Sequence, residues 1–231
     1  MRSVLIVFGI AIAILVASIV FTPSKGLVDN PSEEAYKRQQ EFDRQEQIEA
    51  KKAAAAKAPA VNPSDVTKDA VPATLKVAGK GVIELELYPR AAPKTVAHFT
   101  DLAKRKFYDG ILFHRVVPDF VAQAGDPASK KLTAQDVASK DDHQGGTEGL
   151  GSGGSGTNIP FESNPLKNEP GTLAMALSGP RSDTGDSQFF INLKHNESLD
   201  GDYCVFGKVK SGIDVVKSIR RGDKIESITV K

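Results

Sequence analysis

Phe113-His114-Arg115-Val116-Val117-Pro118-Asp119-Phe120-Val121-Ala122-Gln123-Ala124-Gly125-Asp126-Pro127 is the run on which the fold reading turns. It holds most of two strand-like segments, Ile111 to Val117 and Phe120 to Ala124, in immediate succession. Upstream, Thr74-Leu75-Lys76-Val77 and Val82-Ile83-Glu84-Leu85-Glu86-Leu87 alternate apolar and polar residues, with Gly79-Lys80-Gly81 as the turn between them. Pro93 opens a helix predicted to reach about Lys106, with Val96, Phe99, Leu102 and Ala103 as its core stripe. Downstream, Ala128 to Gly156 is polar and glycine-rich without periodicity, which predicts an extended, mobile surface loop. Strands are expected again at Gly171–Leu177, Gln188–Leu193, Cys204–Val209 and Ile225–Val230, with a second amphipathic helix over Ile213–Ile219. Many short strands and two helices imply a mainly β domain, a barrel with helices over its ends.

The N-terminal third has a different grammar. From Val4 to Phe21 the chain is apolar and uncharged, long enough as a helix to span roughly 27 Å, close to a bilayer core. Residues 1–24 therefore read as a single-pass transmembrane anchor, the rival being a signal peptide cleaved near Val16-Ala17-Ser18. Arg2 before the span, against Lys25 with Asp29, Glu33 and Glu34 after it, favours the N-terminus in the cytoplasm and the rest of the chain, including the folded domain, on the extracytoplasmic side. If the segment is cleaved, the product is secreted or periplasmic. Asn30-Pro31-Ser32-Glu33 is a helix-start signal, and Glu33/Lys37 and Glu34/Arg38 are favourable i,i+4 pairs. Residues 25–72 then form a charged helical stalk followed by a semi-extended Pro/Ala linker over Ala58–Pro72, and the folded domain occupies 73–231.

Composition excludes some functions. A net charge of +1 in 231 residues, without a clustered basic face, argues against nucleic acid as partner. The single cysteine, Cys204, can form no internal disulfide and reads as a small buried hydrophobe. His98, His114, His143 and His195 lack metal-ligand spacing, so no metal and no cofactor is expected. Gly149–Gly156 is not followed by the Lys-Ser/Thr pair of a phosphate-binding loop. Arg221-Gly222-Asp223 reads as a helix-ending turn. Asn196-Glu197-Ser198 is a formal glycosylation sequon.

The opening run closely resembles the signature strand pair of cyclophilins. Two further matches follow in the family's order: Pro170-Gly171-Thr172-Leu173-Ala174-Met175-Ala176 with Ser187-Gln188-Phe189-Phe190-Ile191, and Leu199-Asp200-Gly201 leading into Val205-Phe206-Gly207-Lys208-Val209. The resemblance covers about Ala73 to the C-terminus. It implies an eight-stranded antiparallel barrel capped by two helices, and peptidyl-prolyl cis–trans isomerase activity toward proline-containing polypeptides. It also implies the site. Arg115 matches the catalytic arginine, supported by Gln123 and Phe120; Val121, Phe190 and Leu199 complete a proline slot; His114, Ala176, Leu177, Gln188, Ser198 and Tyr203 are expected to contact substrate.

This chemistry needs no nucleophile. Amide resonance opposes rotation about X–Pro by roughly 18–20 kcal/mol, and a donor to the prolyl nitrogen lowers that barrier. Arginine suits the role, being permanently charged with a planar fork of donors. Three positions depart from the family pattern. Val121 stands where methionine is common, Tyr203 replaces a histidine, and Ser198 replaces the tryptophan of cyclosporin-sensitive members, so tight cyclosporin binding is not expected. The loop from Ala176 to Gln188 is longer by about two residues and the one after Asp126 by about twenty, by that same resemblance. The alternative reading is a non-catalytic chaperone or scaffold that binds proline segments; the intact Arg115, Phe120, Gln123 and Phe190 set argues against it.

Overall fold

The computed structural model describes residues 62–138 and 150–231, together with 38, 39, 41–43, 45, 46, 49 and 50. Two units emerge, Met1–Asp43 and Arg44–Lys231. The described residues between 38 and 50 are helical and exposed, and Gln39 Nε2 donates to Asp43 Oδ1 at 2.7 Å, one turn on. The apolar segment Val4–Phe21, the helix start at Asn30 and the ion pairs of Glu33 and Glu34 lie outside the described residues. Among those that are described, no helix is long and apolar enough to cross a membrane.

Eight strands form one antiparallel sheet: β1 (Val71–Val77), β2 (Gly81–Leu87), β3 (Arg115–Val117), β4 (Val121–Ala124), β5 (Thr172–Met175), β6 (Phe189–Asn192), β7 (Val205–Ser211) and β8 (Ile225–Val230), in the order β3-β4-β6-β5-β7-β2-β1-β8. Period-two alternation explains the first pair. Ala73, Leu75, Val77, Ile83, Leu85 and Leu87 turn inward and are buried, while Thr74 and Glu84 stand opposite each other outside, joined by a hydroxyl–carboxylate bond of 3.0 Å. The sheet is curled, and β3 and β8 at its two edges are not paired with each other. Gly110 N donates to Ile225 O and Ile225 N to Ile111 O (2.9 and 2.8 Å), so the chain ahead of β3 is bonded to the start of β8.

Both expected helices are present, slightly shortened: α2 (Pro93–Lys104) and α4 (Ile213–Ser218). Glu162 caps α2, its two oxygens accepting the backbone N–H groups of Lys94 and Thr95 (3.0 and 2.8 Å), as the orphan donors of a first turn require. The predicted stripe Val96, Phe99, Leu102 and Ala103 is buried. Phe99 anchors an aromatic nest, its centroid 5.0 Å from Tyr108, 5.4 Å from Phe189 and 5.2 Å from Phe206.

Two expectations are corrected. The linker over Ala58–Pro72 is not extended throughout: Asn62 caps a one-turn helix, α1 (Pro63–Val66), Val66 packs with Tyr88 and Ala91, and β1 has begun by Val71. The loop expected from Ala128 begins with structure as well, a 3-10 turn (Pro127–Lys131) and α3 (Ala134–Ala138). Asp126 Oδ1 accepts from Ala128 N at 2.8 Å, and Ser129 Oγ both donates to Asp126 O and accepts from Leu112 N. Thr133 and Asp136 cap each other reciprocally at the start of α3, and Val137 is fully buried. The stretch 139–149 lies outside the described residues.

Candidate active site

Alternation along β4 divides the functional residues from the core. Ala122 and Ala124 point inward and are fully buried, leaving Val121 and Gln123 on the outer face. Strand register then lines up a transverse row. Arg115 of β3 stands opposite Gln123, Gln123 opposite Phe190 of β6, and Phe190 opposite Ala174 of β5. A guanidinium, an amide, an aromatic ring and a methyl group are therefore neighbours by backbone pairing alone.

Val121, Ala174, Phe190 and Val205 make a small apolar cluster separate from the main core, with Phe120, Ala176, Leu199 and Tyr203 packed against it. Above that floor opens a cleft of about 320 Å³, lined by Arg115, Phe120, Val121, Gln123, Ala176, Leu177, Phe190, Leu199 and Tyr203. Tyr203 meets Phe190 edge-on, centroids 5.9 Å apart. The Arg115 guanidinium carbon lies 5.4 Å from the Phe120 centroid, a cation–π contact that holds the side chain over the cleft. Among the described residues no carboxylate lies within ion-pair distance of Arg115, so its donors stay available.

A second cleft of about 320 Å³ adjoins the first, sharing Gln123, Ala176 and Leu177 and continuing to Gly151–Gly154, Asn158, Ser178, Thr184, Asp186 and Gln188. Gln123 Nε2 donates to Gln188 Oε1 at 3.0 Å, and Gln188 Nε2 donates to the carbonyls of Gly151 and Gly153 (3.0 and 2.8 Å). Two carboxylates pin this glycine loop. Asp126 Oδ2 accepts from the N–H groups of Gly151 and Gly153 (2.5 and 3.1 Å), while Asp186 accepts from Ser155 Oγ (2.5 Å) and Gly156 N (3.0 Å). A Cβ on Gly153 would strike the Asp126 carboxylate, and one on Gly154 the Asp186 carboxylate, so a side chain at either would push that carboxylate off its hydrogen bonds. Burial alone would raise the Asp186 pKa; the bonds from Ser155 and Gly156 outweigh it and hold the carboxyl below its ordinary range.

Of the residues expected from the sequence, nine surround the first cleft and Gln188 lines the second. His114 and Ser198 line neither. Ser198 is exposed on the 3-10 turn Glu197–Leu199. His114, just ahead of β3, is only 5 % exposed, with its ring packed under the Gly151 position. Burial pushes its pKa down to about 4, with Asp126 opposing and Arg221 and Arg115 reinforcing the shift. Sequence reasoning missed Asp186, Thr184 and Asn158, which no local pattern marks, and missed the part played by Asn196. The sequon asparagine is buried; its Nδ2 donates to Phe120 O at 3.0 Å and to Asn192 Oδ1 at 2.6 Å, tying the slot wall to the turn that carries Leu199. Cys204 is buried, and burial pushes its thiol up to about 12. No cluster of three His, Cys, Asp or Glu residues suited to a metal occurs among the described residues.

Comparison with known proteins identifies the family. The sequence model of the cyclophilin-type peptidyl-prolyl cis-trans isomerase/CLD family matches residues 73–231. Peptidyl-prolyl cis-trans isomerase B of Bacillus subtilis is 43% identical over 151 residues, covering 64% of this chain and 90% of that protein. A Helicobacter pylori peptidyl-prolyl cis-trans isomerase is 41% identical over 160 residues, covering 68% and 84%. In three dimensions, a Cryptosporidium parvum cyclophilin-type isomerase superposes with a TM-score of 0.58 at 24% identity, covering 70% of this chain and 98% of that one, which bears on fold alone. An apolar slot beside an arginine with no carboxylate partner among the described residues, on the outer face of a curled eight-stranded sheet, is thus joined to a family match over residues 73–231: the chain belongs to the cyclophilin family and is a peptidyl-prolyl cis–trans isomerase.

Proposed function

We propose that Arg115 is the catalytic donor, that the cleft over Val121 and Phe190 takes the prolyl ring, and that the enzyme works on exported or membrane proteins from a membrane tether. The carrying observation is a guanidinium without a carboxylate partner among the described residues, held over an apolar slot by the Phe120 ring. As the X–Pro bond twists, resonance is lost and the prolyl nitrogen regains a lone pair; Arg115 donates to it there and not in either planar isomer. Gln123, braced by Gln188, presents an amide to the substrate backbone. Apolar walls favour the ring over a hydrated alternative. With Ser198 in place of an indole, cyclosporin inhibits weakly.

The test is the rate of cis-to-trans conversion of an Ala-Pro peptide. Arg115→Ala should lower kcat/KM about a hundredfold or more, the scale for loss of a single preorganised donor, with an unchanged melting temperature. An unaltered rate removes Arg115 from the mechanism. Peptide binding without acceleration by the wild-type protein would instead favour a chaperone or scaffold.

The tether rests on the uncharged stretch Val4–Phe21 and the charge asymmetry around it. Cell fractionation with N-terminal sequencing should find the chain in the membrane fraction with the segment retained. A soluble chain beginning near Ser18 would make it a cleaved signal peptide.

A further inference from the structure

The two clefts share a wall, and the segment Ser178–Asp186 joins what stands on either side of it. On one side it is bonded to the segment after the glycine loop: Ile159 N donates to Gly185 O at 2.7 Å and Phe161 N to Asp183 Oδ1 at 2.9 Å. On the other side the link runs through Arg181. Its Nε donates to Asp202 Oδ1 at 2.8 Å and its backbone N–H to Asp202 O at 3.0 Å. Asp202 precedes Tyr203, and the N–H groups of both donate to Leu199 O (3.2 and 3.1 Å). Leu199 and Tyr203 are walls of the slot, while Ser178, Thr184 and Asp186 line the second cleft.

Arg181 is held unusually tightly for an arginine in a surface loop. Its side chain is 9 % exposed, its guanidinium carbon lies 5.7 Å from the Phe161 ring centroid, and Gly201 faces the guanidinium, where a Cβ would come within 3.1 Å of Nη2. Its backbone sits at φ +53°, a left-handed conformation unfavourable to a long side chain. Strained backbone persists where surrounding contacts over-determine it, and here they are the ion pair, the ring and the paired main chain.

We propose that Arg181 is a positioning residue which, by clamping the Ser178–Asp186 loop to the Leu199–Tyr203 turn, fixes the spacing between slot and second cleft and thereby selects peptides able to occupy both. The inference rests on the prolyl ring occupying the slot. Its prediction is a change of substrate discrimination rather than of chemistry, since Arg181 touches neither the prolyl nitrogen nor the ring.

The experiment compares the full chain with Arg181→Ala and Arg181→Lys on two substrates, a short Ala-Pro peptide and an extended peptide with the same centre. Wild type should prefer the extended peptide. Arg181→Ala should raise KM for the extended peptide about tenfold, a modest share of what misplaced binding groups can cost, while kcat on the short peptide stays within about twofold. Arg181→Lys keeps the charge without the planar fork and should fall between the two. Equal losses on both peptides would reduce Arg181 to a prop of the fold and overturn the proposal. So would an unmoved ratio of the two, or a wild type indifferent to peptide length. If wild type accelerates neither peptide, it is the reading of the slot that fails; activity with an unmoved ratio sinks the clamp alone.

Discussion

Phe189 and Phe190 are adjacent in sequence and belong to different worlds. Phe189 points inward, fully buried, edge-on to Phe99 and Tyr108 at 5.4 and 5.7 Å within the main core. Phe190 points outward onto the small cluster under the cleft, with Gln123 on one side and Ala174 on the other. Inside, every apolar surface finds a partner and the gain is stability. Outside, the apolar floor is walled on its flanks and left open above, beside an arginine. The same two-residue period that builds a core on one face sets Arg115, Gln123 and Phe190 in a row on the other, and the loop and turn residues Phe120, Leu177, Leu199 and Tyr203 close the cleft around them.

The sharpest way to separate the faces is Phe189→Ala. Deleting the ring should cost about 3–5 kcal/mol in chemical denaturation, the range for a buried phenylalanine. A loss below about 1 kcal/mol would mean the inner face is not the stabilising one.

Next in size is the pH response centred on His114. In the folded chain its imidazole stays neutral down to a pKa of about 4, whereas the unfolded chain takes up the proton near 6.5. Between those values the unfolded state binds more protons, so stability falls as pH falls through that window, by about 3 kcal/mol in total. Asp186, with its carboxyl held below the ordinary range, acts in the same sense at lower pH. Replacing His114 by Gln should flatten the slope between pH 6.5 and 4; an undiminished slope would assign it elsewhere.

Smallest in energy is Phe120→Ala on the outer face. Half-buried over the cleft, it should cost little stability but lower kcat/KM about tenfold, or 1.4 kcal/mol. A large drop in melting temperature with unchanged turnover would reverse the comparison.

Much of this was legible beforehand for a physical reason. Alternation in Thr74–Val77 and Val82–Leu87 fixes both strand and face, and the stripe of Val96, Phe99, Leu102 and Ala103 fixes a helix and its buried side. Arg115, Val121 and Gln123 as site residues come from the resemblance to cyclophilins and not from alternation. Alternation says nothing of curvature, so it could not tell that Ser198 stands outside the cleft, or that Asp186 reaches back from a distant loop. The stretch after Asp126 was misread for a different cause. Asp126-Pro127 and Thr133 with Asp136 are capping signals in the sequence, and overall polarity hid them. The resemblance puts His114 with the substrate, whereas the fold leaves it 5 % exposed and lining neither cleft, which no pattern in the sequence marks.

The sulfur of Cys204 carries one more implication. With its thiol shielded from solvent and its ionisation pushed to about 12, it supplies almost no thiolate at neutral pH, and no second cysteine exists to bridge with it. No disulfide within the domain can be made or reduced. The fold of the domain therefore does not depend on a disulfide, whether the compartment is reducing or oxidising.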